Sequence, residues 1–102
     1  MCIRDRISGE ADAISAYTSD GRIAAQDLVV LEDPREALPS YDAIVLLSPR
    51  VADDTDLIEA LQPLLGSIDV ETMREANYTV DRQDNKWSPE RAGEWLLKQV
   101  GI

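Results

Sequence analysis

The chain has 102 residues, a length that bounds it to one domain. Its 20 acidic and 10 basic residues leave a net charge of −10, which argues against nucleic acid and anionic membrane surfaces as partners. One cysteine and no histidine exclude an intrachain disulfide, a structural zinc set and a histidine-based catalytic triad, while 44% apolar residues suffice for a core.

The opening Met1-Cys2-Ile3-Arg4-Asp5-Arg6 carries no cap, no apolar period and no link to the residues after it. It is similar to translated adapter sequence, so residues 1–6 are read as a non-native leader. No signal-peptide apolar region is visible near it. Residues 11–17 alternate small apolar with polar side chains and predict a short strand ending on Tyr17. Thr18-Ser19-Asp20-Gly21 is a turn cluster, in which Asp20 or Ser19 caps a brief helix over 22–26. Leu28-Val29-Val30-Leu31 is apolar on both faces and predicts a strand inside a covered sheet. Pro34 ends it, because proline donates no ladder bond. Residues 34–40 hold two prolines and no period, and so form a loop or crossover. Ala43-Ile44-Val45-Leu46-Leu47 predicts a second buried strand, and as the longest apolar run it is far too short to span a bilayer.

The period then becomes helical. Asp53 offers an N-cap, and Leu57, Ile58, Leu61, Leu64 and Leu65 come after it at helical spacing. Pro63 tightens or ends that helix, and Gly66 suits the position just past it. Asp69 caps a second helix whose apolar side holds Met73, Ala76 and Val80. Ser88-Pro89-Glu90 starts a third, with Ala92, Trp95, Leu96 and Val100 inward and Gly101 at its end. The expected fold class is therefore α/β, yet its buried strands need neighbours that these elements do not supply.

Three ordered blocks carry a resemblance: Tyr17-Thr18-Ser19-Asp20-Gly21-Arg22-Ile23, Asp27-Leu28-Val29-Val30-Leu31-Glu32-Asp33, and Pro39-Ser40-Tyr41. Ser67-Ile68-Asp69-Val70-Glu71-Thr72-Met73, Asn77-Tyr78-Thr79-Val80-Asp81 and the terminal helix continue it. Together they resemble the C-terminal third of the substrate-binding proteins of osmoprotectant ABC importers, which capture glycine betaine, choline, carnitine and related quaternary amines. The likeness runs over about residues 10–102.

The resemblance implies the C-terminal portion of a type II periplasmic-binding-protein fold. Residues 7–33 would be the end of lobe two, 34–42 the hinge or crossover, and 43–102 the return into lobe one. It implies a periplasmic or extracellular location, with any anchor in a preceding segment, and permease subunits as partners. It implies no cofactor and no membrane insertion by this segment. Family members trap the trimethylammonium head in a cage of aromatic side chains, and by motif context two cage positions match Tyr17 and Tyr41. A quaternary ammonium has no N–H to donate, so ring faces must hold it, at about 0.5–2 kcal/mol each. The chain departs from the family pattern before the second tyrosine, where Ala37-Leu38-Pro39-Ser40 replaces a more aromatic, proline-rich run, and at Asp42, where asparagine is frequent.

Blander roles compete for the other conspicuous residues. Tyr78 reads as packing, and Trp87 and Trp95 as seats for the terminal helix. Asp20 with Arg22 reads as a cap and a surface ion pair. Asp53-Asp54-Thr55-Asp56 lacks the spacing of a calcium loop and reads as a cap with acids at a helix start. No nucleophile–base pair, phosphate loop or metal set supports an enzyme. The alternative to a solute receptor is a free-standing small acidic α/β interaction domain.

Overall fold

The computed structural model describes residues 3–40 and 42–102. Five α-helices form among them: α1 (Ile3–Ile7), α2 (Arg22–Ala25), α3 (Thr55–Leu61), α4 (Val70–Asp81) and α5 (Pro89–Val100). A 3-10 turn, Gln62–Leu64, comes directly after α3.

The helix ends obey local chemistry. Asp69 accepts from the Thr72 N–H at 2.7 Å to cap α4. Ser88 accepts from the Arg91 N–H at 3.3 Å to cap α5, with Pro89 in its first turn. Asp54 rather than Asp53 caps α3, accepting from the Leu57 N–H at 3.0 Å. Pro63 tightens the chain after α3 into the 3-10 turn, as its missing N–H requires. Gly66 and Gly101 both adopt the left-handed conformation just past a helix. The leader reading of residues 1–6 predicts no element there, but Ile3–Ile7 is helical and Ile3 is buried.

Helices α4 and α5 pack against each other. Ala92 packs into this contact beside the half-buried Trp95, and Ala76 and Thr79 are buried on the α4 side. The Thr79 hydroxyl donates to the Ala76 carbonyl at 2.7 Å, which satisfies it inside the helix. The Trp87 N–H donates to the Thr79 carbonyl at 2.8 Å and folds the connecting loop back onto α4. The Trp87 and Trp95 rings meet edge to face with centroids 6.3 Å apart, and the Arg91 guanidinium lies 4.5 Å from the Trp87 centroid. The two tryptophans thus seat the terminal helix, in agreement with the packing role read from their positions.

Helix α2 also packs against α4. Gly21, at its N-terminus, meets the α4 backbone with no side chain between them. A Cβ on Gly21 would lie 2.5 Å from both the Arg74 carbonyl oxygen and Tyr78 Cβ, and it would press on the Tyr78 nitrogen. Tyr78 is half-buried against this glycine, which is the packing role assigned to it.

The α/β expectation is corrected at three places. Residues 11–17, 28–31 and 43–47 are irregular, and no strand occurs among the described residues. Val29, Leu31 and Leu46 are 85%, 79% and 82% exposed. The reason is physical: a strand exists only through its partner, and an all-apolar strand also needs both faces covered. None of the described segments pairs with these runs. The radius of gyration, 16.7 Å, exceeds the roughly 13 Å of a closed domain of this length, so the chain does not gather around one core.

Two glycines give opposite predictions. Gly21→Ala would drive a methyl into the α4 backbone and cost about 1–3 kcal/mol. Gly93, inside α5, has open space around its would-be Cβ, so Gly93→Ala would stabilise by about 0.5–1 kcal/mol. Urea unfolding tracked by helical circular dichroism reads both, and equal signs would refute the close approach at Gly21.

Candidate functional site

Tyr17 closes the irregular segment before α2 and is 64% exposed. Its carbonyl accepts from the Asp20 N–H at 3.1 Å, so the residue stands at the first corner of the turn leading into α2. Tyr41, the other predicted cage residue, lies outside the described residues, so the two rings are not brought together on any stated geometry.

Every carbonyl from Tyr17 to Arg22 has a partner. The carbonyls of Tyr17, Asp20, Gly21 and Arg22 accept from the amides of Asp20, Ile23, Ala25 and Gln26. The two between, on Thr18 and Ser19, are taken by α4 side chains. Arg74 donates through Nε to the Thr18 oxygen, and Asn77 donates through Nδ2 to the Ser19 oxygen at 2.8 Å. These bonds join positions 56 and 58 residues apart. Neither residue stands out in the sequence, where Arg74 carries no motif and Asn77 is one position of a longer block.

Asp20 completes the turn from within. Its Oδ1 accepts from both the backbone N–H and the Nε of Arg22 at 3.0 Å, and its Oδ2 pairs with Arg22 Nη2 at 2.7 Å. This is the predicted cap and ion pair in one residue. The Arg22 side chain, then the Arg22 backbone N–H, hold the Asp20 carboxyl below its ordinary value of 3.8 against the opposing effect of burial. Asp33 does similar work at the start of the predicted crossover. Its Oδ2 accepts from the Leu38 N–H at 2.8 Å, and this bond heads the causes that lower its pKa.

An open trough of about 730 Å³ lies between residues 12–18 and 27–33, with Ile3, Ile14, Ile23 and Leu28 among its walls. Asp12, Asp27, Glu32 and Asp33 give it an acidic rim, with Arg6 as the opposing charge. Among the described residues, Ala16 and Thr18 line it, Tyr17 between them does not, and no wall residue is aromatic. Among the described residues, no group of three or more metal-ligating side chains converges, and no helix is long and apolar enough to cross a membrane.

Residues 6–98 match the family model described as the substrate-binding domain of ABC-type glycine betaine transport systems. The chain belongs to that family, whose fold is that of the periplasmic binding proteins. It is 30% identical over 96 residues to the ergothioneine transport permease/ergothioneine binding protein EgtU of Helicobacter pylori, covering 93% of this chain and 17% of that protein. It is 31% identical over 75 residues to the carnitine transport binding protein OpuCC of Listeria monocytogenes, covering 72% of this chain and 24% of that protein. The chain thus spans about a fifth of the length of these relatives. No solved structure matches it significantly. The family and these relatives are transport substrate-binding proteins, not enzymes.

Because the Asp20 pKa is lowered in the folded chain, its contribution is present above the unfolded value and lost as pH falls through the folded one. An amide titration should therefore show the Arg22 N–H losing its bonded shift with a midpoint below the ordinary carboxylate value of 3.8. Asp20→Asn should flatten that transition and cost at most about 1 kcal/mol, the scale of a partly exposed pair. A midpoint at or above the ordinary value would contradict the pairing.

Proposed function

We propose that the chain is part of a solute-binding protein that captures quaternary ammonium osmoprotectants in an aromatic cage and delivers them to an ABC importer. Tyr17 and Tyr41 supply two faces of that cage. Residues 7–33 are the end of lobe two, 34–42 the crossover and 43–102 the return into lobe one. The protein works in the periplasm or outside the cell with permease subunits as its partners.

The observation that carries this reading is an exposed tyrosine at the corner of a turn whose backbone carbonyls are all satisfied. The solutes in the names of the family and its relatives add support. Glycine betaine, carnitine and ergothioneine all carry a trimethylammonium group and a carboxylate, and choline shares the cation. The trimethylammonium offers no hydrogen-bond donor, so the ring quadrupole is the natural attraction. Family membership favours this reading over a free-standing interaction domain.

Two rings at about 0.5–2 kcal/mol each supply at most about 4 kcal/mol, the scale of millimolar rather than micromolar affinity. Calorimetry on this chain should accordingly find no micromolar binding of glycine betaine or carnitine. The decisive comparison is an NMR titration at millimolar glycine betaine against 3,3-dimethylbutanoate, the same shape without the cationic nitrogen. Glycine betaine should shift the Tyr17 ring signals and the carbon analogue should not. Equal shifts from both, or none from either, would sink the cage role of Tyr17.

A further inference from the structure

We infer that Arg74 and Asn77 are positioning residues for Tyr17: from α4 they orient the turn that aims its ring. The inference rests on the reading of Tyr17 as a ligand contact, but its geometry stands without it. Four of the six carbonyls from Tyr17 to Arg22 are satisfied by the turn and α2 themselves. The remaining two, on consecutive residues, are met from α4 instead. Arg74 and Asn77 are spaced by three positions, so they lie on one face of α4 and reach both. A single bond would leave the turn free to rotate about it. Two bonds to successive peptide planes fix the orientation of both, and with it the direction in which the chain leaves Tyr17.

Gly21 is the second half of the device. Its missing side chain lets the turn approach α4 closely enough for an asparagine to span the gap at 2.8 Å. Apolar contacts could hold the turn equally firmly, yet they would set no direction. Hydrogen bonds do, because their strength falls steeply with angle. The donors also come from beyond residues 34–42, so the aim of Tyr17 is set by the segment on the far side of the predicted crossover.

The test is backbone relaxation of the 15N-labelled chain, with a titration by glycine betaine after it. In the unsubstituted chain the Thr18, Ser19 and Asp20 amides should be rigid, with order parameters near about 0.85. Asn77→Asp keeps the size but replaces the donor with an acceptor, and Arg74→Gln shortens the reach. Each should drop the turn amides below about 0.6, the flexible range, while α4 amides stay rigid. Arg74→Lys restores a donor of similar reach and should rescue the order. The glycine betaine concentration needed to shift Tyr17 should rise about five- to tenfold in the two disruptive variants and return with lysine. Unchanged turn order in both variants would overturn the inference. So would lost order with an unchanged Tyr17 response to glycine betaine. If Tyr17 does not respond even in the unsubstituted chain, the cage reading fails, and the order parameters alone decide whether α4 holds the turn.

Discussion

The contact that the rest of the structure depends on is the close approach of the Gly21 turn to α4. It joins residues far apart in sequence, and it sets α2 against a helix that also carries α5. From there the connection runs on without a gap. The Thr79 carbonyl takes the Trp87 N–H, Trp87 meets Trp95 edge to face, and Ala92 fills the space between the helices. Tyr17 therefore stands on a continuous packed body that extends to the terminal helix. A ring mounted on such a body keeps its direction, whereas a ring on a free loop does not.

The apolar runs at 28–31 and 43–47 are not part of that body. Fully burying a Val, Leu or Ile side chain is worth about 1.5–3 kcal/mol, and several of these side chains gain little of it. Among the described residues, the apolar side chains that are buried, Ile3, Ile23, Ala76 and Ala92, are few and two of them are small. The balance explains the large radius of gyration without any appeal to charge, although a net charge of −10 also favours expansion. In a parallel sheet covered on both faces, runs of this composition are interior strands. Their exposure here fits a chain that spans about a fifth of the length of its relatives.

What is legible in the sequence is local. The caps at Asp69 and Ser88, the tightening at Pro63 and the left-handed glycines at 66 and 101 each depend on a few neighbouring residues. The N-cap of α3 falls one residue later than its pattern predicts, because Asp53 and Asp54 are chemically alike and only the reach to the Leu57 N–H separates them. The strands fail for the opposite reason: their pattern is correct, but a strand is a relation between segments. Arg74 and Asn77 are invisible on the same ground. Nothing near them in sequence indicates the Thr18 and Ser19 carbonyls. The Asp20–Arg22 pair, two residues apart, is readable. The family blocks point to Tyr17 and Tyr41 without any geometry, and only Tyr17 falls among the described residues.

The dependence on distant partners bears on how such a site can discriminate among solutes. A trimethylammonium group accepts no hydrogen bond from the protein and donates none to it, so the protein has no directional bond with which to hold it. The cation–π attraction is broad, and it changes with the distance and tilt of the ring. Affinity is then governed by where the ring is placed and how little it moves. Directional chemistry can still act one step back, on the backbone that carries the ring. That is where this chain uses it: two side-chain donors go to the carbonyls beside Tyr17 rather than to a solute. The donors and Tyr17 lie on either side of residues 34–42 in sequence, so the bonds that steady the turn exist only while those two segments are together.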